Sequence, residues 1–173
     1  MILLLSTCSQ KLSEEEFVRP IEKILLKNKL DFMVKHCSED YDPSKYDKII
    51  ICGTALKDFE YLKDVEKFGW IKKYGGKLMG ICSGMQMISI VYGMKLKGKV
   101  MIGSREVKIV KKEFLDRDFK AYFLVSKQPV LNKEFIALAE DESVIKHKSK
   151  DVYGFLFHPE VLNPELIVKF CEL

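Results

Sequence analysis

The stretch Lys77-Leu78-Met79-Gly80-Ile81-Cys82-Ser83-Gly84 joins an apolar run to a segment with helical spacing. Where a buried strand turns sharply into a helix, the residue at the corner is strained and its neighbours two positions away must be small for the chain to pack. Gly80 and Gly84 meet that requirement around Cys82. The pattern G-x-C-x-G is the thiol form of a nucleophile elbow, and it predicts a strand at Lys77–Cys82 followed at once by a helix.

Strands and helices alternate upstream of this corner. Apolar runs and helical spacing predict three strands and two helices, at residues 1–6, 13–29, 32–36, 48–52 and 58–74. The run 48–52 is β-branched, as expected for a strand buried on both faces. The alternation is typical of an α/β protein with an open, mostly parallel, twisted sheet and helices on both faces, as in flavodoxin-like folds.

The pattern changes after Met94. Short strands are predicted at residues 94–101, 105–112, 122–125, 135–139, 143–148 and 152–157, before a closing helix that begins at Asn163. We expect the first two to form a hairpin around Gly103-Ser104. The predicted fold is therefore α/β with a late antiparallel strand insertion. No linker or internal repeat divides residues 1–173, which predicts a single domain.

Composition excludes several classes of function. The 29 basic and 25 acidic residues give a net charge of +4, and the lysines are scattered rather than clustered with aromatics, so we expect no nucleic-acid partner. No apolar run has the length of a membrane span, so we expect no membrane partner. The five cysteines are widely spaced without a CxxC pair, which argues against disulfides or a zinc site and predicts a reducing, cytoplasmic environment. No glycine-rich phosphate loop is present, and we expect neither a cofactor nor a metal.

A second motif, Phe157-His158-Pro159-Glu160, follows an apolar run near the end of the chain. The proline keeps His158 out of the helical region, and residues two apart in an extended segment face the same way. Glu160 would then lie beside the imidazole, where it can fix the tautomer and stabilise the cation. The alternative is that His158 only ends a strand, that Glu160 is a solvated charge and that Cys82 is a buried packing residue.

Together these two motifs resemble those of the class-I, or triad, glutamine amidotransferases. Within that family, the ending Gly84-Met85-Gln86 looks most like the glutaminase subunits of GMP synthases. The resemblance implies a triad of Cys82, His158 and Glu160 that hydrolyses the side-chain amide of glutamine to glutamate and ammonia through a thioester. It also implies a separate synthetase partner that receives the ammonia, because no ATP-binding domain accompanies the sequence.

The resemblance extends to residues around the triad. The backbone N–H of Ser83, at the start of the helix, is placed to stabilise an oxyanion. Gly53 matches the family loop that supplies the second oxyanion donor, although the family's Gly-Gly-Pro pattern reads Gly53-Thr54-Ala55 here. Gln86 matches the position that contacts bound glutamine. Ser126 and Lys127 align with the Ser-His segment that helps hold the substrate, with lysine in place of histidine.

These departures leave three hypotheses open. The first is a working glutaminase that supplies ammonia to a synthetase. The second is a catalytically impaired relative that serves in binding or regulation, motivated by the altered loop at Gly53 and by Lys127. The third is a cysteine hydrolase of another amide, such as a γ-glutamyl bond, on the same scaffold.

Overall fold

The computed structural model describes all 173 residues. The strands are β1 (Ile2–Ser6), β2 (Phe32–His36), β3 (Lys48–Ile51), β4 (Lys77–Ile81), β5 (Leu96–Val107), β6 (Phe119–Pro129), β7 (Phe135–Ala137), β8 (Val144–His147) and β9 (Val152–Phe155). The α-helices are α1 (Glu14–Phe17), α2 (Arg19–Lys27), α3 (Ser83–Val91), α4 (Pro159–Leu162) and α5 (Pro164–Glu172). Three further segments form 3-10 helix, at Lys11–Ser13, Pro43–Lys45 and Glu60–Lys72.

Seven strands form the main sheet in the order β2-β1-β3-β4-β9-β8-β7. The first five are parallel, and β8 and β7 extend the sheet in antiparallel fashion. The predicted mostly parallel sheet is confirmed. Because parallel strands end at the same edge, the residues that follow β3, β4 and β9 meet on one side of the sheet, where open α/β folds place ligands.

The core lies on both faces of this sheet. Every residue of β1 and β9 is buried, which requires cover on two sides. Helix α3 packs against the Glu60–Lys72 segment, while α2, α4 and α5 pack against one another as a second group. The two groups form the helical layers that the alternating sequence pattern predicted.

The predicted helix over residues 58–74 is wrong in type. Glu60–Lys72 is a run of 3-10 turns interrupted at Asp64, whose backbone (φ −110°, ψ 23°) is not helical. A 3-10 helix brings every third residue to the same face, so apolar spacing alone does not separate it from an irregular α-helix. The segment still covers the sheet, because Tyr61, Phe68 and Ile71 are buried.

The predicted hairpin around Gly103-Ser104 is also wrong. Strand β5 runs without a turn from Leu96 to Val107 and pairs in antiparallel register with β6, with Gly103 opposite Phe123. The glycine is therefore a paired residue in a long two-stranded ribbon, and a glycine next to serine imitates a turn signal in the sequence. This ribbon is separate from the main sheet, and it brings β6 to the edge where β4 and β9 end.

Candidate active site

Cys82 lies at the corner between β4 and α3. Its backbone has a positive φ of 50° with ψ −104°, an uncommon conformation for a residue with a side chain. The flanking glycines allow the corner to pack. A Cβ on Gly80 would lie 2.5 Å from the carbonyl carbon of Gly84, and one on Gly84 would collide with the backbone of Ile51. The small neighbours that the elbow pattern predicted are thus required by the packing.

His158 is held in place from three sides and is only 1% exposed. Its backbone N–H donates to the carbonyl oxygen of Tyr122 in β6 at 2.8 Å. The imidazole packs against the ring of Phe17, with centroids 5.3 Å apart. Its Nδ1 lies 2.8 Å from Oε1 of Glu160, which is also buried. The carboxylate therefore orients the ring and leaves Nε2 as the nitrogen free for chemistry.

The route by which Glu160 reaches the imidazole differs from the prediction. His158 is extended as expected (φ −103°, ψ 92°), but Pro159 opens the short helix α4, so Glu160 lies in a helical turn. Proline favours the first position of a helix, because its ring fixes φ and its missing N–H has no intrahelical acceptor there. The prediction of a segment extended through Glu160 is therefore wrong, although the contact itself forms.

Cys82 and His158 meet beside Gly53. A methyl group built on Gly53 would lie 2.7 Å from Cε1 of His158 and 3.5 Å from Cβ of Cys82. The side chains of Cys82 and His158 therefore both lie next to Gly53. The Sγ atom of Cys82 lies 3.5 Å from the carbonyl oxygen of Leu124, to which it donates. The Nε2 atom of His158 is buried and has no hydrogen-bond partner. The thiol and the imidazole are therefore neighbours in this conformation.

The charges around His158 favour its protonated form. Burial by itself lowers the pKa of the imidazole, but the negative charges of Cys82 and Glu160 outweigh burial and raise it to about 10. Cys82 directly precedes the first residue of α3, at the positive end of that helix. The arrangement brings a thiol, an imidazole and a carboxylate together in that order.

The two predicted oxyanion donors, the backbone N–H groups of Ser83 and Gly53, both lie close to Cys82. Ser83 is the first residue of α3, where the backbone N–H has no intrahelical acceptor. The N–H of Gly53 donates to no backbone oxygen. The hydroxyl of Ser83, by contrast, is occupied, because it lies 3.3 Å from the carbonyl oxygen of Cys52 and 3.1 Å from Oγ1 of Thr7.

The predicted substrate-binding residues lie at the same edge, and two of them, Gln86 and Lys127, contact each other. The side-chain amide of Gln86 accepts from the hydroxyl of Tyr61 and donates from Nε2 to the carbonyl oxygen of Lys127 at 2.9 Å. Nζ of Lys127 lies 4.3 Å from the centre of the Phe59 ring. Ser126 lines a small cavity above Cys82, together with residues of the 54–61 segment.

Sequence reasoning missed several residues of this site. Tyr61 fixes Gln86, and Phe17 packs on His158. Asp58 ties the loop after β3 to the end of β1, because its carboxylate accepts from the backbone N–H of Ser9 and from the hydroxyl of Thr54, both at 2.7 Å. None of these residues belongs to a motif. The one usable signal was Asp58, an acidic residue at the start of a predicted helix, where such residues accept backbone hydrogen bonds.

No helix of the protein combines the length and the apolar character needed to cross a lipid bilayer.

All five cysteines are free and buried. Burial raises the pKa of Cys37 to about 11, and it also raises the pKa of Cys52. A buried thiol with a raised pKa is a poor nucleophile, which argues against a catalytic role for Cys37 and Cys52.

Comparison with known proteins supplies relatives. The chain is similar to a glutamine-hydrolysing GMP synthase subunit of Methanocaldococcus jannaschii, with 30% identity over 118 residues. That match spans 56% of this chain and 59% of the relative's length. The corresponding subunit of Methanosarcina barkeri is 28% identical over 158 residues, which cover 78% of this chain and 77% of the relative.

Solved structures share the fold. A putative GMP synthase subunit from Thermoplasma acidophilum superposes with a TM-score of 0.82 at 20% identity, over 99% of this chain and 93% of that one. A glutamine amidotransferase from Thermotoga maritima gives a TM-score of 0.74 at 18% identity, over 99% of this chain and 81% of that one. The family model described as glutamine amidotransferase class-I matches residues 13–166, which include both the elbow and the His-Pro-Glu segment. The chain therefore belongs to the class-I glutamine amidotransferase family.

Proposed function

We propose that this chain hydrolyses the side-chain amide of glutamine to glutamate and ammonia, with Cys82, His158 and Glu160 as its catalytic triad. The observation that carries the proposal is the meeting of Cys82 and His158 beside Gly53, with Glu160 on the far nitrogen of the ring. A nucleophile, a base and a group that orients the base are the parts that covalent acyl transfer needs.

In the first half of the reaction, Sγ of Cys82 attacks the amide carbon as a thiolate. The carbonyl oxygen becomes an oxyanion, which the backbone N–H groups of Ser83 and Gly53 stabilise. The imidazolium of His158 then gives its Nε2 proton to the amide nitrogen, the C–N bond breaks and ammonia leaves. A γ-glutamyl thioester on Cys82 remains.

In the second half, neutral His158 takes a proton from water through Nε2, and the resulting hydroxide attacks the thioester carbon. The C–S bond breaks, glutamate leaves and the thiolate of Cys82 returns beside the imidazolium. Glu160 accepts from Nδ1 throughout, so the tautomer with Nε2 available is kept in both halves. The cycle consumes one water for each glutamine and needs neither metal nor cofactor.

We further propose that the ammonia passes to a separate synthetase in the cytoplasm. The relatives named as GMP synthase subunits support an arrangement of separate components. Five free cysteines fit a reducing compartment. The residues around Cys82 that we expect to bind glutamine are Gln86, Gly53, Ser126 and Lys127.

Ammonia release tests the catalytic proposal. Purified protein is incubated with glutamine, alone and with cell extract, and ammonia is measured. We expect Cys82→Ala to abolish release and Cys37→Ala, a buried cysteine outside the site, to keep it. A diazo-ketone analogue of glutamine should label Cys82 in the wild-type protein. Ammonia release that survives Cys82→Ala contradicts the mechanism.

One observation favours a second candidate, a binding or regulatory protein without turnover. The cavity above Cys82 measures only about 10 Å³, whereas hollows of about 510 and 720 Å³ lie elsewhere on the molecule. A protein that binds a partner but never admits glutamine would give neither labelling nor ammonia, with or without extract. Turnover of γ-glutamyl peptides without glutamine turnover would instead identify a γ-glutamyl hydrolase.

A further inference from the structure

The space above the proposed nucleophile is too small for the proposed substrate. The cavity at Cys82 has a volume of about 10 Å³, and a single water already needs roughly 10–15 Å³. It is enclosed on one side by the 54–61 segment and on the other by Leu124 and Ser126 of β6. An amino-acid amide therefore enters only if these two walls separate.

Two contacts join the walls. Nζ of Lys127, on β6, lies 4.3 Å from the centre of the Phe59 ring, on the 54–61 segment. Deeper in, Gln86 links the same two sides, because its amide accepts from Tyr61 and donates to the backbone carbonyl of Lys127. Gln86 is buried, whereas the side chains of Phe59 and Lys127 are half-buried. The outer contact is the one that solvent and an incoming ligand meet first.

We propose that Phe59 and Lys127 form a latch that closes the cavity above Cys82, and that the latch opens when Lys127 exchanges the ring for the carboxylate of an amino-acid amide. The second half of this proposal rests on the proposed function. In the open state the lysine side chain selects a substrate that carries a carboxylate, and the cavity gains the room that Phe59 occupied.

The strengths of the two interactions of Lys127, with the Phe59 ring and with a carboxylate, favour the exchange. A cation–π contact at a partly exposed site shifts an equilibrium by roughly two- to fivefold. A hydrogen bond between a charged donor and a carboxylate shifts it by roughly ten- to a hundredfold. The latch is therefore strong enough to keep the empty site mostly closed and weak enough for a substrate carboxylate to displace it.

Alkylation of Cys82 by iodoacetamide, a small uncharged reagent, tests the latch without substrate. The rate is measured by mass spectrometry on the peptide that contains Cys82. We expect Phe59→Leu and Lys127→Met each to raise the rate roughly two- to fivefold. Lys120→Met, which removes an exposed lysine from the same strand, should leave the rate unchanged and serves as the matched control.

A double variant makes this test specific to the pair. If Phe59 and Lys127 act through one contact, Phe59→Leu combined with Lys127→Met alkylates no faster than the faster single variant. Rates that multiply in the double variant, or single variants that react like the wild-type protein, overturn the latch.

Binding to the Cys82→Ala protein tests the carboxylate exchange in the absence of turnover. Calorimetry compares L-glutamine with L-glutamine α-amide, in which the carboxylate is replaced by a neutral amide. We expect Lys127→Met to weaken glutamine binding roughly ten- to a hundredfold and to leave binding of the α-amide unchanged. Equal weakening of both ligands, or of neither, overturns the exchange. If the alkylation and the calorimetry both give the expected results but the wild-type protein releases no ammonia, only the proposed function is contradicted.

Discussion

Nδ1 of His158 lies 2.8 Å from Oε1 of Glu160, and both side chains are almost completely enclosed, with 2% and 1% of their surface exposed. A buried carboxylate without a partner is strongly unfavourable, and so is a buried imidazolium. Each group therefore depends on the other, and the pair fixes the direction in which Nε2 points. The second carboxylate oxygen, Oε2, has no hydrogen-bond partner in the protein, so the carboxylate is hydrogen-bonded only to the imidazole of His158.

Replacement of Glu160 tests this dependence. Glu160→Gln keeps the shape of the side chain but removes the charge that stabilises the imidazolium, so we expect ammonia release to fall by roughly 10²- to 10⁴-fold. The measurement is kcat for glutamine hydrolysis. Glu165→Gln, an exposed position on α5, is the matched control and should keep its rate. Equal rates in the wild-type protein and Glu160→Gln remove Glu160 from the triad.

The protonation of His158 predicts a dependence on Cys82. Its pKa is raised to about 10 because the charges of Cys82 and Glu160 outweigh burial. Cys82→Ala removes one of the two charges and leaves burial in place, so the pKa of His158 should fall. Proton NMR of the imidazole follows this directly, since the chain has only three histidines to assign. An unchanged pKa in Cys82→Ala would mean that the thiolate does not act on the ring.

The same shift predicts how stability depends on pH. The pKa of His158 is higher in the folded protein than the value of about 6.5 that it has when unfolded. The contribution of this group to the free energy of unfolding is therefore complete below about pH 6.5 and is lost as pH rises through about 10. Chemical denaturation across this range should show a smaller decline in His158→Gln than in the wild-type protein. Parallel declines in both proteins would contradict the prediction.

Gly53→Ala should displace the imidazole of His158 from its position beside Cys82. The added methyl group would lie 2.7 Å from Cε1 of His158, too close for any side chain to remain in place. We expect a loss of about 1–3 kcal/mol in the free energy of unfolding together with a loss of ammonia release. The control is Gly69→Ala, where a methyl group has no neighbour within 4 Å. Full activity in Gly53→Ala would show that the ring does not need this position.

Tyr61→Phe isolates the hydrogen bond that fixes Gln86. The substitution removes only the hydroxyl, and it leaves the buried Oε1 of Gln86 without a donor. Leaving such a group unsatisfied costs about 1–3 kcal/mol of stability. Thermal or urea denaturation measures the loss. Tyr153→Phe, a buried tyrosine whose hydroxyl makes no hydrogen bond within the protein, should lose little by comparison. Similar losses in both variants would contradict a special role for Tyr61.

The sequence by itself determined the parallel sheet, the elbow at Cys82 and the His-Pro-Glu segment. Each of these rests on local rules: β-branched runs become buried strands, small residues must flank a sharp corner, and proline excludes the helical region for the residue before it. Local rules predicted the structure less well where one sequence pattern fits two structures. Apolar spacing fits both an α-helix and a 3-10 helix, and a glycine next to a serine occurs both in turns and in paired strands. For that reason the 60–72 segment and the long β5–β6 ribbon differ from their predictions.

The tertiary structure alone decided what surrounds Cys82, the proposed nucleophile. Gly53, Tyr61, Phe17 and Lys127 are far from Cys82 along the chain, and they reach it only because β3, β4, β6 and β9 end at or pass the same edge. Packing against Gly53 and Phe17 set the position of the imidazole, and the approach of the 54–61 segment to β6 left only a small cavity above Cys82. Such contacts depend on distances between segments that sequence spacing does not encode, whereas the strand, the corner and the proline are properties of neighbouring residues.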